Sequence, residues 1–293
     1  MTLAMRAWTS FETVLEMIKF EHTIFALPFA FLGMILAADG WPAWRTVAWI
    51  VVAMIGARSA AMGFNRLADR QIDAQNPRTA GRPLPTGRVS PAFVALFVLA
   101  SSALLVWAAW ELNPLAFALS PLALVILLGY SYTKRFTVWS HLILGVADAG
   151  AALGAWIAVS GDIRLPAILL TAAVAFWVAG FDVLYALQDL DFDRAKGLHS
   201  MPAKWGEVPG LWISGALHLA MLASLAAIPF VYPPGLGAAY WVGVAGCLAL
   251  LAYQHSIVRP GDLSRLNAAF FTANGLLSVW LFAATAADLL WLR

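Results

Sequence analysis

Polarity along this chain changes in long blocks. Apolar runs stand at about 22–38, 46–64, 91–110, 114–131, 138–159, 166–183, 210–231, 236–256 and 267–288. Coiled as helices, such runs are long enough to cross about 30 Å of hydrocarbon, where backbone groups must be satisfied within the segment. The pattern predicts an all-α membrane protein with nine transmembrane helices in a single domain, 1–293. Connections on one side are short and nearly uncharged (Asp39 to Pro42, Glu111 to Pro114, Gly161 to Pro166, Tyr232 to Gly235), whereas the other side carries long polar loops.

Composition agrees. Hydrophobic residues make up 62% and charged residues 12%, with mean hydropathy +0.79, which excludes an ordinary soluble domain. The net charge of +2 says little; placement says more. The N-terminus and the loops after the second, fourth, sixth and eighth runs hold most Lys and Arg, and the opposite side only Arg45, Arg164 and Arg293. The positive-inside rule then puts the N-terminus in the cytoplasm and the C-terminus outside. The single Cys247 excludes a disulfide framework and a cysteine metal site within one chain. Glu12, Glu16 and Glu21 make a poor signal-peptide start, so the first run reads as a retained span.

Two acidic segments break this apolar background. Asn65, Asp69 and Asp73 are spaced four apart, each step drifting about 40° around a helix, so one face carries three oxygen ligands. Arg78, Arg82 and Arg88 follow, on a loop enforced by Pro77, Pro83 and Pro85. The second segment runs from Asp182 to Gly197; on a continuous helix Asp182, Asp189 and Asp193 lie within roughly 20° of one direction, and Asp191 points away. Carboxylates that gather a divalent cation beside guanidinium forks suit a metal-bridged phosphate. Intramembrane acids face a bundle interior or wet cavity. Both segments leave their spans on the same side, so a central polar cavity open near the cytoplasmic side is expected. The loop YSYTKRF adds Tyr130, Tyr132, Lys134 and Arg135, which read either as interfacial anchors or as diphosphate donors. Arg58, seven residues before Asn65, shares its face. His218 and His255 show no metal-ligand spacing, and His199 reads as a solvated loop residue.

These motifs resemble those of the UbiA-type intramembrane aromatic prenyltransferases. The NxxxDxxxD signature stands at Asn65, Asp69 and Asp73 with the pair Arg82–Pro83, and DxxYAxxDxxxD at Asp182, Tyr185, Ala186, Asp189 and Asp193. YSYTKR is similar to the family's basic loop and IKFEHTIFALPFAF to its first span, so the likeness runs from about residue 15 to the last span. It implies a polyprenyl diphosphate held by two Mg²⁺ ions and transfer of its prenyl group to an aromatic acid. The sequence looks closest to 4-hydroxybenzoate polyprenyltransferases of ubiquinone synthesis and to dihydroxynaphthoate relatives in menaquinone synthesis. Asn65, Asp69 and Asp73 are then expected on one ion and Asp189 with Asp193 on the other, with Asp182 supporting that cluster or orienting the acceptor. Arg78, Arg82, Lys134 and Arg135 would take the diphosphate, with Tyr185 and Arg58 also among the binding groups. The partner of Arg58 is either Asp148 or the acceptor's carboxylate. Asp148, in mid-span, departs from the apolar stretch expected there. The expected partners are the two substrates and membrane lipid, with no nucleic acid and no obligate protein partner. The expected location is a bacterial inner membrane. Two rival readings stand beside this one: a relative within the superfamily acting on another acceptor, such as haem, chlorophyll or glycerol phosphate, and a cation-coupled transporter, which the arginines disfavour.

Overall fold

The computed structural model describes residues 12–14, 16–18 and 23–292, and among them it forms no strand beyond an isolated Arg259–Asp262 bridge. Its principal helices are α1 (Thr23–Ala38), α2 (Trp44–Gln75), α3 (Pro91–Leu112), α4 (Pro114–Thr133), α5 (Ser140–Ser160) and α6 (Leu165–Ala186). A 3₁₀ turn (Leu187–Asp189) leads to short helices α7 (Leu190–Lys196) and α8 (Met201–Trp205). Then come α9 (Glu207–Val231), α10 (Ala238–Ile257), a π-helical turn (Ala268–Ala273) and α11 (Asn274–Leu290).

Local chemistry sets these boundaries. Ser90 caps α3 by accepting from Phe93 N, and Asn113 caps α4 by accepting from Ala116 N, each followed by a proline whose missing N–H costs nothing in a first turn. The Asn113 amide also donates to the Ile157 carbonyl at 2.7 Å, pinning the α3–α4 turn to the end of α5. Gly161 closes α5 and Gly197 closes α7 in the left-handed region, at φ 69° and 65°. Buried Asp288 on α11 accepts from Gly237 N at 2.6 Å and Tyr240 N at 3.4 Å, capping α10 from another helix.

Among the described residues seven helices are long and apolar enough to cross a membrane. The expected runs 22–38 and 236–256 also become helices, α1 and α10, but neither is among those seven: the described apolar part of α1, Ala26–Ala38, is short, and Gln254 and His255 dilute the end of α10. Packing runs from α1 to α5, α6, α9, α10 and α11, and α11 returns to α1, closing a ring against which α2, α3 and α4 dock beside α5. The core centres on Phe29, Trp177, Leu225, Tyr240 and Leu281. Three crossings need glycine: a Cβ on Gly145 would strike the Ala175 carbonyl, one on Gly33 the Ala152 carbonyl, and one on Gly56 the α3 backbone at Ser101 and Leu105. Small residues let helices approach closely in lipid, where packing drives association. Inside the core Trp177 donates to Asn274 Oδ1 at 3.0 Å, and Gln254 donates to the Ala269 carbonyl at 2.9 Å, where the π turn frees backbone acceptors.

The length of α2 positions the site. It has 32 residues, about 48 Å of helix at 1.5 Å per residue. It outruns the hydrocarbon, and its last turns carry Asn65, Asp69 and Asp73 to the bundle end where α6 also gives way to Leu187–Asp189.

Candidate functional site

Each acid of the first motif is met by a cation. Asp69, almost wholly buried, receives Lys134 Nζ at 2.8 Å, Arg135 at 3.2 Å and the Asn65 amide at 3.2 Å. Asp73, also buried, takes Arg82 at 2.8 Å on both oxygens. The loop at 76–90 crosses to the second motif: Arg78 Nε donates to Asp189 Oδ1 at 2.9 Å, its second nitrogen reaches Oδ2, and the Asn76 amide adds a bond of 3.0 Å. Burial works against the Arg78 charge, but the hydrogen bond and negative charge of Asp189 outweigh it and raise its pKa. The Arg78 guanidinium also lies over the Tyr185 ring, 5.4 Å from its centroid, and Tyr185 packs on Phe270 at 4.2 Å. The convergence expected from the sequence is therefore observed, since the two acidic segments share one mouth.

Other expectations change. A 3₁₀ turn at Leu187–Asp189 interrupts the α-helix between Asp182 and Asp193, so the second motif does not lie on one continuous α-helix. Asp182 pairs instead with His141, Nδ1 to Oδ2 at 2.6 Å. Asp193 faces Ser200 and Lys134, and Asp191 is exposed. Lys134 and Arg135 stand directly on Asp69, and Arg135 also donates to the Ala68 carbonyl at 2.6 Å and lies over Tyr132. Arg88 turns away, forking onto Glu16 at 2.7 and 2.8 Å. Asp148 lies within charge range of Arg58 and Asp182, so it belongs to the interior side of the site.

Sequence reasoning missed four contributors. Asn76 bonds Asp189; buried Arg66 donates to Asn65 Oδ1 at 3.2 Å and to the Met17 carbonyl at 3.3 Å; His141 and Ser200 meet Asp182 and Asp193. Asn76 and Arg66 adjoin the first motif and were visible as polar neighbours, but His141 opens a different helix and no spacing rule points to it.

A cavity of about 300 Å³ adjoins this mouth, lined by Ile72, Gln75, Arg135, Phe192, Lys196, Gly197 and Leu198. Among the described residues no three of His, Cys, Asp and Glu stand together closely enough to hold a metal unaided. Magnesium is commonly bound through one or two carboxylates plus substrate phosphate oxygens, so an all-oxygen set flanked by guanidinium groups fits an ion shared with a diphosphate.

Helices long and apolar enough to cross a membrane, with buried acids and forked cations paired at one end of the bundle, define a helical membrane protein with a charged site at that end. Residues 26–284 match the UbiA prenyltransferase family, and the chain belongs to it: it is an integral-membrane prenyltransferase. It is similar to a 4-hydroxybenzoate octaprenyltransferase of Aeromonas salmonicida (strain A449), 36% identical over 243 residues, 82% of each chain. The apo structure of a UbiA homologue from Aeropyrum pernix K1 superposes with TM-score 0.82 at 36% identity, covering 92% of this chain and 98% of that one. A UbiA homologue from Archaeoglobus fulgidus bound to DMAPP and Mg²⁺ shares the fold, with TM-score 0.69 at 21% identity, covering 94% of this chain and 99% of that one.

Proposed function

We propose that this enzyme transfers a polyprenyl group from polyprenyl diphosphate to an aromatic acid of the 4-hydroxybenzoate type in quinone synthesis. The observation that carries this reading is the Arg78–Asp189 bridge, which ties the loop after the first acidic motif to the second and leaves both facing one site. The names of the relatives and the Mg²⁺ and DMAPP of the Archaeoglobus homologue point the same way.

In this reading Asn65, Asp69 and Asp73 hold one Mg²⁺, and Asp189 with Asp193 a second. When bound, the ions supply Lewis acidity that neutralises the departing diphosphate. The chain's own residues do the rest. Arg78, Arg82, Lys134 and Arg135 bind and orient the diphosphate oxygens, stabilising charge as the allylic C–O bond breaks. Tyr185, already under the Arg78 guanidinium, bounds the reaction space and excludes water. Asp182 orients the acceptor, and Arg58 takes its carboxylate. The whole chain acts as one domain of nine spans around a central polar cavity, its mouth and N-terminus cytoplasmic and its C-terminus outside a bacterial inner membrane. It needs no protein partner.

The test is mass spectrometry of the product made when membranes containing the protein receive 4-hydroxybenzoate or a dihydroxynaphthoate with a long-chain prenyl diphosphate. Prenylated 4-hydroxybenzoate, formed with magnesium and lost with EDTA, is expected. Product from the dihydroxynaphthoate alone would move the assignment to that acceptor, and magnesium-driven ion flux with no diphosphate release would replace it with transport.

A further inference from the structure

His141, beside the paired acids, is fastened at both ring nitrogens. It opens α5, is 4% exposed, and reaches Asp182 on α6 through Nδ1 at 2.6 Å. Its Nε2 lies 3.3 Å from the backbone N–H of Met201. That N–H belongs to the first turn of α8, where no helical carbonyl serves it. Since an N–H only donates, Nε2 is the acceptor; the ring proton therefore sits on Nδ1 and is donated to the carboxylate. The segment around Met201 is itself fixed, because His199 N donates to the Lys134 carbonyl at 2.7 Å and the Ser140 hydroxyl to the His199 carbonyl at 3.4 Å. His141 thus has one tautomer and one orientation, and it imposes both on Asp182.

Asp182 is only half-buried and lies within charge range of Tyr130 on α4 and Asp148 on α5, so its carboxylate is open to the space between these helices. We propose that His141 is a positioning residue for the transfer reaction: it holds one oxygen of Asp182 so that the other accepts a hydrogen bond from the hydroxyl of the aromatic acceptor. This rests on the proposed aromatic transfer. Drawing the phenolic proton toward Asp182 enriches the ring carbon beside the hydroxyl in electron density. The C–C bond forms there while the allylic C–O bond breaks; diphosphate leaves with the C–O electron pair, and the ring proton passes to a diphosphate oxygen. Asp182 ends the cycle as it began, as a carboxylate.

Three variants and one spectrum test this. His141→Leu should lower kcat about 10–100-fold, the range found when a group that orients a reacting residue is removed, while KM for the prenyl diphosphate stays within about twofold. His141→Asn, whose amide nitrogen stands near the Nδ1 position, should recover most of kcat. His141→Gln, whose amide reaches the Nε2 position and Met201, should not. Solid-state NMR of ¹⁵N-histidine protein, with the His141 signal identified by its loss in His141→Asn, should show Nδ1 protonated and Nε2 bare. Wild-type kcat in His141→Leu, rescue by Gln rather than Asn, or a proton on Nε2 would overturn the proposal. If Leu fails to fold, the Asn and Gln pair decides it. A wild-type protein that makes no prenylated aromatic acid would sink the proposed function, whereas the NMR tautomer tests His141 independently of turnover.

Discussion

Asp69→Asn separates a catalytic role from a structural one more cleanly than any other single change. The side chain is 3% exposed and accepts from Lys134, Arg135 and Asn65. Charge-assisted bonds of this kind are worth about 1.5–3 kcal/mol when buried. Here the Lys134 and Arg135 side chains are 34% and 37% exposed, so solvent screening cuts each to about 1 kcal/mol or less. The amide keeps one acceptor oxygen and escapes the desolvation cost of a buried carboxylate, which is several kcal/mol. The net destabilisation should be about 1 kcal/mol, a fall of about 2–4 °C in melting midpoint for a chain of this class. Turnover is another matter. Losing a group that stabilises developing charge costs about 10²–10³ in kcat, about 2.7–4 kcal/mol. The assay is diphosphate release by purified protein in detergent or nanodiscs at saturating magnesium, with the melting midpoint measured on the same preparation and exposed Asp191→Asn as control. Retention of more than a tenth of wild-type turnover, or loss only in proportion to unfolded protein, would refute the assignment.

Arg78→Ala and Asp189→Ala should each lower turnover, and the double variant should be little worse than the more damaging single, with a stability coupling of about 1–2 kcal/mol discounted for the partly exposed Arg78; additive losses in a double-mutant cycle would show that the bridge is incidental. Gly145→Ala should cost about 1–3 kcal/mol because its Cβ meets the Ala175 carbonyl, whereas Gly150→Ala on the same helix, with nothing within 4 Å, should be neutral or slightly stabilising in thermal melts. Equal melting midpoints for the two would argue against the α5–α6 crossing. Asp288→Ala should cost about 1–2 kcal/mol by stranding the Gly237 and Tyr240 N–H groups, with Asp288→Asn intermediate and turnover per folded molecule unchanged; a melting midpoint equal to wild type would deny the cap.

What was legible in the sequence is what repeats. Apolar length marks each helix because hydrocarbon thickness sets a minimum, and four-residue spacing marks one face of α2 because the helix period does. Asn65, Asp69 and Asp73 were therefore readable as a group. The second motif was less so: spacing assumes an unbroken α-helix, and Leu187–Asp189 tightens into a 3₁₀ turn. His141 was invisible for a different reason. A lone histidine at a helix start has no periodic partner, and its role exists only once α5, α6 and the first turn of α8 meet. Arg88 shows the opposite error, since loop proximity grouped it with Arg78 and Arg82 although its fork reaches Glu16 on the N-terminal segment.

Arg78, Arg82 and the pair Lys134–Arg135 each stand on a motif carboxylate, so the acids and the bases neutralise one another in place. A bare divalent cation entering this array would have to displace guanidinium groups, and a bare diphosphate would strand the carboxylates. The four bases, 21–37% exposed, can turn to water when displaced, whereas Asp69 and Asp73, 3% and 6% exposed, cannot, so entry of a bare diphosphate carries the larger desolvation cost. A cation and a diphosphate arriving together would, under the proposed function, let every group exchange one partner for another, the carboxylates holding the metal and the guanidinium forks the phosphate oxygens. That exchange would distinguish the proposed site for a metal-bound diphosphate from a cation pathway, in which the same arginines would only compete with the passing ion.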